Sequence, residues 1–189
     1  MHRRHLLAPA LLAVLAACGG GSSPSGPAVA KGLAYTDPAT GAYRLVRNAA
    51  LSTDTHLVLD LWGPSGATAS GVTAAFVQGG AGAVWHNVLT GDAAGTYVAN
   101  GTAFNLGAGA PILKARLTGT TLMATVAEKG TASPKALDQA LLRVALDLVP
   151  GVAPGTVATL TPDPARCQIL LPDGTLATVA VTASSITVK

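Results

Sequence analysis

The stretch His56-Leu57-Val58-Leu59-Asp60-Leu61-Trp62 decides how this chain folds. Leu57, Leu59 and Leu61 recur at every second residue, so they share one face of an extended strand while His56, Asp60 and Trp62 share the other. The pattern predicts a half-buried strand that turns Trp62, Asp60 and His56 outward, and these three form the candidate binding surface. The alternative is a strand covered on both faces, with Trp62 packed under a loop. Gly63-Pro64-Ser65-Gly66 ends the strand, and Val72, Ala74 and Phe76 make the inward set of the next. After Gly79-Gly80-Ala81-Gly82 a further strand is expected over residues 83–89. Residues 112–117 and 122–127 flank Thr118-Gly119-Thr120, a hairpin whose glycine supplies the positive φ of a tight connection.

The second half repeats the theme. Ser133-Pro134-Lys135-Ala136-Leu137-Asp138 places Ser at a cap and Pro at the first helical position, which predicts one short helical turn and no longer helix. Leu142, Val144, Leu146 and Leu148 then alternate with Arg143, Ala145 and Asp147 up to a Pro/Gly turn at residues 150–155. Strands are expected over 156–161, 166–171 and 175–182, and Ile186-Thr187-Val188 is expected to close a sheet edge. About ten to twelve short strands at this spacing predict an all-β chain, an antiparallel sandwich or barrel. The 22 Gly and 12 Pro agree with many tight turns.

A family resemblance rests on the C-terminal third. The strand Leu141-Leu142-Arg143-Val144-Ala145-Leu146-Asp147-Leu148 leads into Pro150-Gly151-Val152-Ala153-Pro154-Gly155-Thr156. This resembles the late strand, Pro/Gly turn and return strand of cohesin domains. Leu170-Leu171-Pro172-Asp173-Gly174 and Ile186-Thr187-Val188 resemble the close of that domain, and Gly71-Val72-Thr73-Ala74-Ala75-Phe76 resembles an early strand. The chain departs from the family after Phe76, where cohesins carry a Tyr-Asp-Pro type segment and this sequence reads Val77-Gln78-Gly79-Gly80. The resemblance covers residues 43–189. It implies a jelly-roll-like β-sandwich of the kind cohesins share with some carbohydrate-binding modules, which bind and do not catalyse.

The N-terminus carries an address. Arg3 and Arg4 precede an apolar run of 12 residues, Leu6 to Ala17, too short for the roughly 20 residues that span a bilayer. The run ends in Leu15-Ala16-Ala17-Cys18, which resembles the lipobox of bacterial lipoproteins. That resemblance implies cleavage before Cys18 and diacylation of its thiol. Gly19-Gly20-Gly21-Ser22-Ser23-Pro24-Ser25-Gly26-Pro27 follows as a flexible tether. The expected organisation is a signal peptide over 1–17, lipidated Cys18 with a tether over 18–32, and one domain over 33–189. Gly19 rather than Asp after the cysteine points to the outer membrane in enteric-type sorting, so the expected location is the cell envelope.

Composition narrows the function. Removing Arg3 and Arg4 from the 12 Lys and Arg leaves ten against nine acids, a net charge of +1. Such a surface has no electrostatic pull on nucleic acid. No phosphate-binding loop, H-E-x-x-H or G-x-S-x-G motif is present. Asp92, Asp163 and Asp173 stand singly, without the oxygen-ligand spacing of a calcium loop, and no cofactor or metal set is expected. Cys167 lies in an apolar run and reads as a buried, inert thiol. The sequence therefore predicts a non-catalytic binding or assembly module with a protein or polysaccharide ligand. The rival classes are an envelope hydrolase using His56 or His86 as base, and a structural subunit of a surface assembly.

Overall fold

The computed structural model describes residues 28–104, 112–128 and 133–189. Sixteen strands run through them: β1 (Leu33–Tyr35), β2 (Tyr43–Arg47), β3 (His56–Trp62), β4 (Thr68–Ala69), β5 (Gly71–Gly79), β6 (Ala83–His86), β7 (Val98–Asn100) and β8 (Ile112–Thr118), then β9 (Thr121–Ala127), β10 (Lys135–Ala136), β11 (Ala140–Leu148), β12 (Val157–Pro162), β13 (Gln168–Leu170), β14 (Leu176–Thr178), β15 (Val181–Thr182) and β16 (Ile186–Val188). No helix occurs among the described residues.

Two sheets pack into a β-sandwich. The larger has the order β1-β16-β12-β5-β13-β14, with β9 on the free edge of β5 and β8 beyond it. The smaller has the order β15-β2-β3-β11-β6, with β7 also on β11. Each sheet is organised around one nine-residue strand that has a full-length partner on one edge and two short partners sharing the other. β5 pairs with β9 along its length, and with β13 and β12 in succession opposite. β11 pairs with β3, and with β7 and β6 opposite. All pairings are antiparallel except β15 beside β2.

The core lies between the two sheets. Leu57, Leu59 and Leu61 of β3 and Leu142, Val144 and Leu146 of β11 pack toward Val72, Ala74 and Phe76 of β5 and Leu122, Ala124 and Val126 of β9. These are the inward sets that alternation predicts. The β8–β9 hairpin also forms as expected, with Gly119 at φ 58° in its turn. Leu141 is an extra residue in β11, because the register passes from Ala140↔Trp62 to Leu142↔Leu61. This β-bulge lets both Leu141 and Leu142 be fully buried. It also draws Gly101 against β11, where a Cβ would sit 2.0 Å from the Ala140 carbonyl oxygen. Only glycine fits there.

Three expectations change. Lys135 and Ala136 are not helical: they pair with Ala69 and Thr68 as β10 and β4, so a two-residue ladder outcompetes the Ser-Pro cap. Ile186 to Val188 do not close an edge, since β16 lies between β1 and β12. Strand β3 is not half-buried, because six of its seven residues are buried, on both faces. The strand number exceeds ten to twelve because β4, β10 and β15 are two-residue ladders and β1 and β7 three-residue strands, all too short for a periodicity to read.

Candidate functional site

The second face of β3 is buried because two connections, residues 48–55 and 87–97, run over the outer side of the smaller sheet. Val58, Ala145 and Val88 form a small satellite core there, with Leu51 and Ala99 packed against it. Asp60 lies on this face, only 6% exposed. Arg143 Nε donates to its Oδ1 at 2.9 Å and Asn48 Nδ2 to its Oδ2 at 3.0 Å. Burial pushes the Asp60 carboxyl above the ordinary carboxylate range, and the Arg143 charge and these two hydrogen bonds pull against it. Trp62 is half-buried at the strand end. The candidate trio is therefore not an open platform: Asp60 belongs to an internal ion pair and His56 to a separate cluster.

That cluster follows from strand register. His56 stands directly opposite Asp147 across β3 and β11, and His86 stands opposite Ala145 across β11 and β6. Residues opposite one another in an antiparallel pair point to the same side, as do residues two apart in one strand. All three side chains therefore project from one face. His56 Nδ1 lies 2.5 Å from Asp147 Oδ1, and His86 Nδ1 lies 3.5 Å from Asp147 Oδ2. The two imidazoles meet edge to face at 6.0 Å. Among the described residues this is the one group of His, Cys, Asp and Glu whose ligand atoms converge, all within 4.8 Å. A scan for ligand spacing misses it, because the three come from positions 56, 86 and 147.

The cluster bears on hydrolysis. In a Ser-His-Asp triad, one imidazole nitrogen meets the carboxylate and the other meets the nucleophile. Here His56 Nε2 meets the Val88 carbonyl at 3.1 Å, and among the described residues no hydroxyl is hydrogen-bonded to either imidazole ring. The nitrogen that a base would use is occupied by the backbone. Asp163 and Asp173 are also engaged, accepting the Ala165 and Thr175 N–H groups in turns.

The outer face of the larger sheet is different. Thr73, Ala75 and Val77 of β5 stand opposite Thr125, Met123 and Thr121 of β9, and Thr161 of β12 stands opposite Val77. Lys114 and Arg116 on β8 stand opposite Thr125 and Met123 and extend these rows. Ile112, Met123 and Val77 are exposed on this side, although large apolar side chains on a fully solvated face are costly. Two shallow depressions of about 290 and 280 Å³ meet at Arg116 and Met123, and Arg166 lines the first. Lys114 and Arg116 form no ion pair among the described residues, and Arg166 has only Asp163 at 3.5 Å.

Aromatic residues do not mark either face. The chain has two Trp, three Tyr and two Phe, and none is exposed. Trp85 is buried, with Nε1 donating to the Thr120 carbonyl at 2.8 Å. Stacking on a sugar ring needs an accessible aromatic face. Cys167 is fully buried and free, and burial pushes its thiol up, which suits an inert core residue. Cys18 and the rest of Leu15-Ala16-Ala17-Cys18 lie outside the described residues.

No protein-family model and no curated protein matches the chain. Solved structures do. A type II cohesin domain from the cellulosome of Acetivibrio cellulolyticus superposes with TM-score 0.55 at 11% identity, covering 78% of this chain and 94% of that one. The sixth cohesin of scaffoldin B from the same organism, in complex with a dockerin, gives 0.54 at 11%, covering 77% and 97%. A type II cohesin–X-dockerin complex from that organism gives 0.56 at 10%, covering 74% and 93%. At such identities the likeness is one of fold: the described residues build a cohesin-like β-sandwich.

Proposed function

We propose that this chain is a bacterial lipoprotein, held in the cell envelope by acyl chains on Cys18, whose sandwich binds a protein partner without catalysis. The observation that carries the reading is the contrast between the two outer faces. On the smaller sheet, connections cover the strands and bury even Asp60. On the larger, β8, β9, β5 and β12 leave apolar Ile112, Met123 and Val77 exposed beside basic Lys114, Arg116 and Arg166. An apolar centre with a charged border is the usual anatomy of a protein interface. The basic residues call for a partner with acidic groups around an apolar contact. With four of the seven aromatics buried and the other three only partly accessible, the surface favours a protein over a glycan ligand. Two of the fold neighbours above hold dockerin partners, which supports the same reading.

The anchor supplies what the domain lacks. A mature charge of +1 gives no attraction to anionic lipid, whereas two or more acyl chains hold a protein stably on a bilayer. Gly19 supports export to the outer membrane.

Two measurements test this. Cys18→Ser is expected to move the protein from the membrane fraction to the soluble fraction, and unchanged fractionation would overturn the anchor. A photo-crosslinking residue at Met123 is expected to give a discrete adduct in intact cells, which Lys114→Glu with Arg116→Glu abolishes. The same crosslinker at Leu89, exposed near the opposite face, is expected to give no such adduct. An adduct from Leu89 and none from Met123 would place the interface elsewhere and sink the assignment.

A further inference from the structure

We infer that His56, His86 and Asp147 form a binding site for a single divalent transition-metal ion, zinc or copper in character, on the sheet face opposite the proposed protein interface. The first argument is hydrogen-bond inventory. His56 Nε2 faces the Val88 carbonyl and Nδ1 faces the Asp147 carboxylate, both of them acceptors. A neutral imidazole has one N–H, so it can satisfy one of these and must turn a lone pair toward the other. If Nε2–H donates to Val88, the Nδ1 lone pair looks straight at a carboxylate oxygen. Something positive has to sit between them, a proton or a metal ion.

The second argument is orientation. Metal-binding histidines commonly donate their distal N–H to a backbone carbonyl, which fixes the tautomer and aims the other nitrogen at the metal. The Val88 carbonyl provides that bond. His86 also presents Nδ1 to the same carboxylate, so two imidazole nitrogens and one carboxylate converge. In a tetrahedron built on bonds of about 2.0–2.1 Å, ligand atoms sit roughly 3.3 Å apart. The 3.5 Å from His86 Nδ1 to Asp147 Oδ2 already matches, the 2.5 Å from His56 Nδ1 to Asp147 Oδ1 has to open by less than an ångström, and the ligand atoms, now within 4.8 Å of one another, have to draw in around the ion. His86, with its side chain 47% exposed, has freedom to adjust.

Access and rigidity complete the case. An open depression of about 430 Å³ lies against His56 and Asp147, bordered by Thr53, Thr55 and Thr90, and leaves room for a water or an incoming ligand in a fourth position. The ligands stand on three adjacent strands, β3, β11 and β6, and His56 is buried. Imidazole with carboxylate suits zinc, copper or nickel, whereas calcium and magnesium want all-oxygen sets.

Titration of the purified protein with Zn²⁺ against a chromophoric chelator is expected to show one equivalent bound. His86→Ala, a change at an exposed side chain, is expected to weaken binding by about tenfold or more. Zn²⁺ is also expected to raise the melting temperature above that in EDTA for the wild type and not for His86→Ala. Should His86→Ala prove poorly folded, the electron paramagnetic resonance spectrum of the Cu²⁺-loaded wild type decides, with hyperfine coupling to two nitrogens expected. Absence of stoichiometric binding, equal affinity in folded His86→Ala, or a copper spectrum without two nitrogens would overturn the site.

Discussion

Arg143→Ala is expected to destabilise the fold by about 3 kcal/mol, the low end for removing one partner of a buried ion pair, because water reaches part of the Arg143 side chain. Asp60 would keep its charge beneath the connection over residues 48–55 with Asn48 as its one remaining side-chain donor. The loss carries a pH signature. Burial already holds the Asp60 carboxyl above the ordinary carboxylate range, and removing the guanidinium takes away the largest opposing influence. Folded variant would then bind a proton over a pH interval in which the unfolded chain does not. Stability falls as pH rises through that interval and is recovered on acidification. Urea unfolding at pH 7 and near pH 4.5 is the measurement, with a deficit largest at pH 7. A deficit that stays constant between the two would mean that lost packing by the arginine stem, not the stranded carboxylate, is the cause. Asp60→Asn in the Arg143→Ala background is expected to recover much of the loss at pH 7.

Phe76→Ala is expected to cost about 3–5 kcal/mol, enough to remove much of the roughly 5–15 kcal/mol that holds a typical domain together. Phe76 is fully buried and is among the largest side chains in the core. It stands opposite Leu122 of β9 and Pro162 of β12, at the point where β5 joins the two halves of its sheet. Its neighbours Ala75 and Val77 point to the proposed interface, so a cavity under Phe76 also loosens the rows above it. Thermal and urea unfolding are the readouts. A loss under about 1 kcal/mol would mean that the core collapses around the missing ring far better than close packing allows.

The sandwich is legible in the chain because its long strands obey a two-residue period, and in Leu57, Leu59 and Leu61 that period names the core face directly. What period cannot report is whether the second face is covered. Only the connections decide that, and the segments over residues 48–55 and 87–97 carry no alternation that would have announced them as lids. Trp62, Asp60 and His56 therefore look like a surface when they are largely interior. The His56–Asp147 contact spans 91 positions and exists only through the register of β3 on β11, shifted by the bulge at Leu141. No local spacing encodes it. The misread turn at Ser133-Pro134 has the same root, since its cap signal is local and its β4 partner is over sixty positions away.

The place of β16 has a consequence for how the protein is made. Among the described strands β1 pairs with β16 alone, and β12 meets β16 on the edge away from β5. The β1 ladder therefore cannot form until Val188 has been synthesised and has come back to meet Leu33. The nascent chain is left without a finished larger sheet for nearly the whole of its translation. Contacts so distant in sequence slow the search for the native state. In a cytosolic protein that delay is an aggregation hazard; in a chain exported before it folds, as proposed for this one, it would keep the polypeptide translocation-ready until β16 arrives.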